Sequence, residues 1–137
     1  MKIWSVVLLA FGLAMTAMTA LTAHAVPPAG AGVPTYNPAT EAVFKGTVEE
    51  VRDRECPVSG GMGSHVVLKL DDGSSIEVHL ASTKFVRMYD LVFVKGDRLE
   101  VTGSKVDFEG VSTIFAREVK RGNDVFVFRD KEGTPVW

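Results

Sequence analysis

The side chains best suited to chemistry in this sequence are one thiol and two imidazoles: Cys56, His65 and His79. Together with Met62 and Met88 they fall within residues 56–88. A thiolate with two imidazoles, alone or joined by a thioether, is a donor set for copper or zinc. Their spacing follows no fixed motif such as C-x-x-C or H-E-x-x-H, so the fold would have to assemble any such site. The same residues also read as a small buried hydrophobe and two histidines on a strand surface. Other chemistry is harder to find. The sequence has no glycine-rich phosphate loop and no serine-centred triad, and neither histidine has a nearby partner that would mark a nucleophile. The acidic pair Glu49-Glu50 falls on a predicted strand, which points its members to opposite faces, and Asp71-Asp72 is turn chemistry. No catalytic residue is assigned, and the chain is expected not to be an enzyme.

The compartment bears on how the thiol is read. Lys2 precedes an uncharged apolar run, residues 3–21, that closes on Ala23-His24-Ala25. This is the n-region, h-region and A-x-A order of a secretory signal peptide over residues 1–25, with cleavage before Val26. The run is also long enough to act as an uncleaved membrane anchor. In both cases the domain is exported, to the periplasm or beyond. Without the leader the chain holds 14 basic and 17 acidic side chains, a net charge of −3. These charges are interspersed, and the local basic group Arg117, Lys120 and Arg121 is diluted by Glu118, which argues against nucleic-acid binding. A lone Cys56 cannot form an internal disulfide, so the fold must be held by its core.

Residues 26–40, with four prolines and two glycines, read as a flexible linker, and residues 41–137 as a single β domain. A long first strand is expected over 42–54, with Gly46 permitting a bend or bulge. A loop follows over 55–63, then a hairpin of 64–70 with 75–80, and a short helix over 82–89 capped by Ser82 with Phe85 and Met88 on one side. Further strands are expected over 98–102, 111–120 and 124–129, the last as an extra element that packs Trp137 on the barrel. The inward positions are Val48, Val66, Leu68, Leu70, Ile76, Val78, Leu80, Leu99, Val101, Ile114 and Val119.

The hairpin fixes the register of the candidate ligands. Gly73 supplies the left-handed residue of a three-residue loop, Asp71-Asp72-Gly73, so Leu70 faces Ser74. Leu68 then pairs with Ile76 and Val66 with Val78 on the apolar face. On the opposite, outer face Lys69 meets Ser75, Val67 meets Glu77, and His65 meets His79, with directly opposed Cβ atoms about 5 Å apart. Cys56 and Met62 would approach from the loop, and Met88 from the helix.

Five strands with a helix between the third and fourth follow the order of the OB-fold, a small Greek-key barrel. Phe44-Lys45-Gly46-Thr47-Val48, the stretch Lys95-Gly96-Asp97-Arg98-Leu99-Glu100-Val101-Thr102-Gly103, and residues 114–119 resemble small exported bacterial OB-fold proteins of the periplasmic type. The resemblance covers residues 41 to about 121 and implies fold rather than activity. The hairpin, however, offers none of the exposed aromatics with which OB-folds stack single-stranded nucleic acid. The leading expectation is a non-enzymatic binding module. It would take a small ligand or protein partner on the face of His65, Val67, Lys69, Glu77 and His79 and on the 55–63 loop, with no cofactor. The alternative is copper or zinc held by Cys56, His65 and His79, with Met62 and Met88 as further candidates.

Overall fold

The computed structural model describes residues 32–137. The leader expected over 1–25, its cleavage point and the first part of the arm lie outside the described residues. Six strands run in chain order: β1 (Glu41–Cys56), β2 (Gly61–Leu70), β3 (Ser75–Ser82), β4 (Arg98–Phe108), β5 (Val111–Arg121) and β6 (Asp124–Val127). One helix, α1 (Thr83–Met88), lies between β3 and β4. The sheet order is β3-β2-β1-β4-β5-β6, with each of these neighbouring pairs antiparallel. A short parallel pairing of β3 with β5, from Glu77–Thr113 to His79–Phe115, closes it into a barrel-like form.

Strand alternation builds the interior. Ten of the eleven inward positions expected from the sequence are buried, and Leu70 is half-buried at the rim. The β2–β3 turn forms as its chemistry dictates. Leu70 N–H donates to Ser74 O at 2.8 Å, Gly73 N–H donates to Leu70 O at 2.9 Å, and Gly73 takes φ +88°. The pairs Lys69–Ser75, Leu68–Ile76, Val67–Glu77, Val66–Val78 and His65–His79 follow from it. The Ser82 hydroxyl accepts from Phe85 N–H at 3.3 Å and caps α1. The helix packs Phe85 and Val86 on the core, while Met88 faces solvent. β6 extends the sheet beside β5, and Trp137 packs half-buried against the barrel.

Three local expectations are corrected. The bulge of β1 lies between Val48 and Glu50 rather than at Gly46, whose bare Cα instead allows the close approach of the Lys69 carbonyl. The 55–63 loop shrinks to a 3-10 turn, Pro57–Ser59, closed by Gly60 in the left-handed region, because the strands continue to Cys56 and restart at Gly61. The arm over 26–40 is no free linker in its described part. Asn37 N–H and the Thr40 hydroxyl both bond the Ser104 hydroxyl, and the Tyr36 hydroxyl donates to Glu41.

Candidate metal centre

The outer face of the β1–β2–β3 sheet carries the candidate ligands. Cys56 ends β1, where it pairs with Gly61; His65 on β2 pairs with Arg52 of β1 and His79 of β3. Period-two alternation puts Cys56, Arg54 and Arg52 on the same side as Gly63 and His65, and Met62 on the other. The sulfur and one nitrogen from each imidazole all lie within 4.8 Å of one another. A tetrahedral ion with bonds of about 2.0–2.3 Å would place its donors roughly 3.3–3.6 Å apart, so the widest pair has to close by about 1 Å or a little more to bind.

The expected exposure of this face is corrected at its histidine end. His65 and His79 are each 0% exposed and Cys56 is 2% exposed, whereas Lys69 is exposed and Val67 and Glu77 are half-buried. Residues far away in the chain provide the cover. His79 packs on Phe115 of β5, with ring centroids 5.5 Å apart, and on Trp137 at 5.7 Å. Phe108, Tyr36 and Val58 complete a second apolar cluster around Cys56 and Phe115. Met62 and Met88 remain exposed and do not enter this buried group.

Each imidazole is oriented by a neighbour. His65 Nδ1 lies 2.7 Å from Glu77 Oε1, angled away from an ideal hydrogen bond. Glu77 is in turn held by Arg54 at 3.0 Å, and Arg54 reaches Glu109 at 2.9 Å. His79 Nε2 shares a hydrogen bond of 2.8 Å with the Ser59 hydroxyl. His65 Nε2 and His79 Nδ1 are buried without any partner. The two rings meet edge to face, with centroids 4.8 Å apart. Burial pushes the His65 pKa down to about 4, against the opposing pull of Glu77, and that of His79 down to about 3. Both rings are therefore neutral at neutral pH, the form in which imidazole binds metal.

Gly63 makes room for the group. A Cβ there would stand 2.7 Å from Ser59 Oγ, 2.9 Å from Cys56 Cβ and 3.1 Å from His65 Nε2. Any side chain would thus fill the space between the thiol and the free nitrogen. Gly63, Ser59, the role of Glu77 toward His65, and the cover from Phe115 and Trp137 escaped the sequence reading. One signal for the cover is present: Ile114-Phe115-Ala116 is a continuous apolar run, as expected where both faces of a strand are packed.

Beside the cluster lies a cleft of about 460 Å³ lined by the arm at Tyr36, the turn at Pro57 and Val58, Phe115, Arg129 and residues 132–135. Arg129 is 4% exposed and lies 5.5–5.7 Å from the rings of Phe115, Trp137 and Tyr36. Its Nη1 donates to Gly133 O at 3.0 Å, while Nε and Nη2 have no partner. The basic residues grouped in the sequence do find partners. Arg117 meets Glu41, Arg121 meets Asp97 and Lys120 meets Glu118, so the basic group seen in the sequence is neutralised where it stands.

No curated protein matches the chain. Compared with protein families, residues 40–126 match the MamS/MamX magnetosome protein family, a match that spans more than half of the sequence and contains Cys56, His65 and His79. The chain belongs to the MamS/MamX magnetosome protein family.

Proposed function

We propose that this chain is an exported, non-enzymatic magnetosome-associated protein whose OB-fold barrel carries a transition-metal site, for copper or zinc, at Cys56, His65 and His79. The observation that carries this reading is the convergence of three buried donors within 4.8 Å, with His65 Nδ1, His65 Nε2 and His79 Nδ1 making no hydrogen bond. Buried polar atoms are seldom left unpaired, because each costs about 1–3 kcal/mol, and a metal ion beside Cys56 would satisfy His65 Nε2, which faces the same space. The Glu77 contact to His65 Nδ1 has the form of the carboxylate–histidine pair that orients a metal ligand. The strand pairing, β1-β2-β3 closed through β5 and β4 back to β1, supports the OB-fold assignment.

Elemental analysis of the protein purified from its own compartment tests the metal reading. Stoichiometric copper or zinc is expected, and the Cys56 thiol should resist alkylation while metal is bound. A metal-free protein whose Cys56 alkylates equally fast with and without added ions would defeat it. N-terminal sequencing of that sample should start at or near Val26, and a chain that starts at Met1 in the membrane fraction would make the leader an anchor. A second reading draws on the cleft of about 460 Å³ beside Arg129, which would suit a small ligand in a binding module without metal. Saturable small-molecule binding by the metal-free protein would favour it.

A further inference from the structure

The charges around the cluster discriminate between the two candidate metals. Glu77 beside His65 is met by Arg54, which it shares with Glu109, and by Arg52 at 3.9 Å. Arg129 is not cancelled: among the described residues it has no ion-pair partner, and it shares the Phe115 and Trp137 rings with His79. On the side of His79, the site therefore already faces one positive charge without an ion pair. A Cys56 thiolate with a monovalent ion forms a neutral unit, with both imidazoles neutral. A divalent ion would leave a second positive charge facing Arg129 in an apolar setting, where charges are poorly screened.

Coordination number points the same way. The cluster offers three protein donors, none more than 2% exposed, and both methionines lie on the surface. Zinc favours four ligands and would have to recruit a water or the Ser59 hydroxyl, already engaged with His79 Nε2. Copper(I) accepts a soft thiolate with nitrogen donors and does not need a hard fourth oxygen. We propose that Cys56, His65 and His79 form a three-coordinate copper(I) site that discriminates against divalent zinc. This rests on the metal-binding reading above.

The test uses the mature chain, stripped of metal and kept reduced under anaerobic conditions. Copper(I) and zinc are each titrated in competition with a chromophoric chelator of known affinity. One copper(I) per chain is expected, bound on the order of a hundredfold or more tighter than zinc, the scale set by one charge repulsion across a partly buried site. X-ray absorption of the copper-loaded protein should show one sulfur and two nitrogen scatterers. Arg129→Gln should narrow the preference by raising zinc affinity while leaving copper(I) little changed. If that variant misfolds, the wild-type competition and the scatterer count still decide. Zinc bound as tightly as copper(I), or a four-coordinate copper, would overturn the copper(I) assignment and leave the metal reading standing. Retention of neither metal would overturn both.

Discussion

The barrel interior and the cluster on its outer wall are built from opposite faces of the same strands, and they solve burial differently. Inside, Val66, Leu68 and Val78 are each 0% exposed and carry no polar atom that needs a partner. Outside, His65 and His79 are equally buried, yet three of their four ring nitrogens make no hydrogen bond, with a thiol beside them. The first face lowers the free energy of the fold through burial alone. The second spends stability on neutral, directed donors, a pattern more typical of a ligand site than of packing.

The largest difference between the two faces should appear in metal affinity. Cys56→Ser and His79→Ala should each lower affinity by orders of magnitude, because each removes a direct ligand, while Leu68→Ala should leave affinity nearly unchanged in the folded fraction. Competition titration on the three variants checks this. Stability should show the reverse. Leu68→Ala or Val78→Ala should cost roughly 2–4 kcal/mol in equilibrium unfolding, through lost burial and a residual cavity. A cost of less than about 0.5 kcal/mol for both would place those residues on the wrong face.

Acid should separate the faces next. Both histidine pKa values are depressed in the fold, to about 4 and about 3. As pH falls below about 6.5 the unfolded chain takes up protons that the native state refuses. The stability of the metal-free protein is then complete above that pH, declines as pH falls toward 3, and levels off below it. Moving from pH 7 to pH 5 should cost about 2 kcal/mol for each imidazole. His79→Leu should flatten that slope in urea melts taken at a series of pH values, whereas Val78→Ala should only displace the curve. Gly63→Ala should cost about 1–3 kcal/mol through overpacking and should weaken metal binding as well. At the small end, Lys69→Ala, on the exposed part of the same outer face, should stay within about 0.5 kcal/mol.

The hairpin register was legible from the sequence because one glycine turn and a period of two decide every pair from Leu70 to His65. The inward face was legible for the same reason, and so was the α1 cap at Ser82. What covers the outer face was not. Phe115, Trp137 and Tyr36 reach His79 and Cys56 only through the β3–β5 closure, the chain end and the arm, and no local pattern encodes those contacts. The start of β2 was also placed too late, because the glycine-rich 60–63 stretch reads as loop even though Gly61 and Gly63 are strand residues, Gly63 leaving the space beside Cys56. Met88 was misplaced because the six-residue helix packs half-buried Phe85 and Val86 on the core rather than Phe85 and the residue three further on.

The three donors lie on successive strands joined by short turns, between residues 56 and 79. Bringing them together closes loops of ten to twenty-odd residues, for which the entropic cost grows only slowly with length. The unfolded chain can therefore capture an ion as well, if less tightly. Any grip on the unfolded state subtracts from the stabilisation that native binding confers by mass action. Loading metal should then raise the melting temperature by less than the native affinity alone implies, and the shortfall would measure how much of the site the unfolded chain already holds.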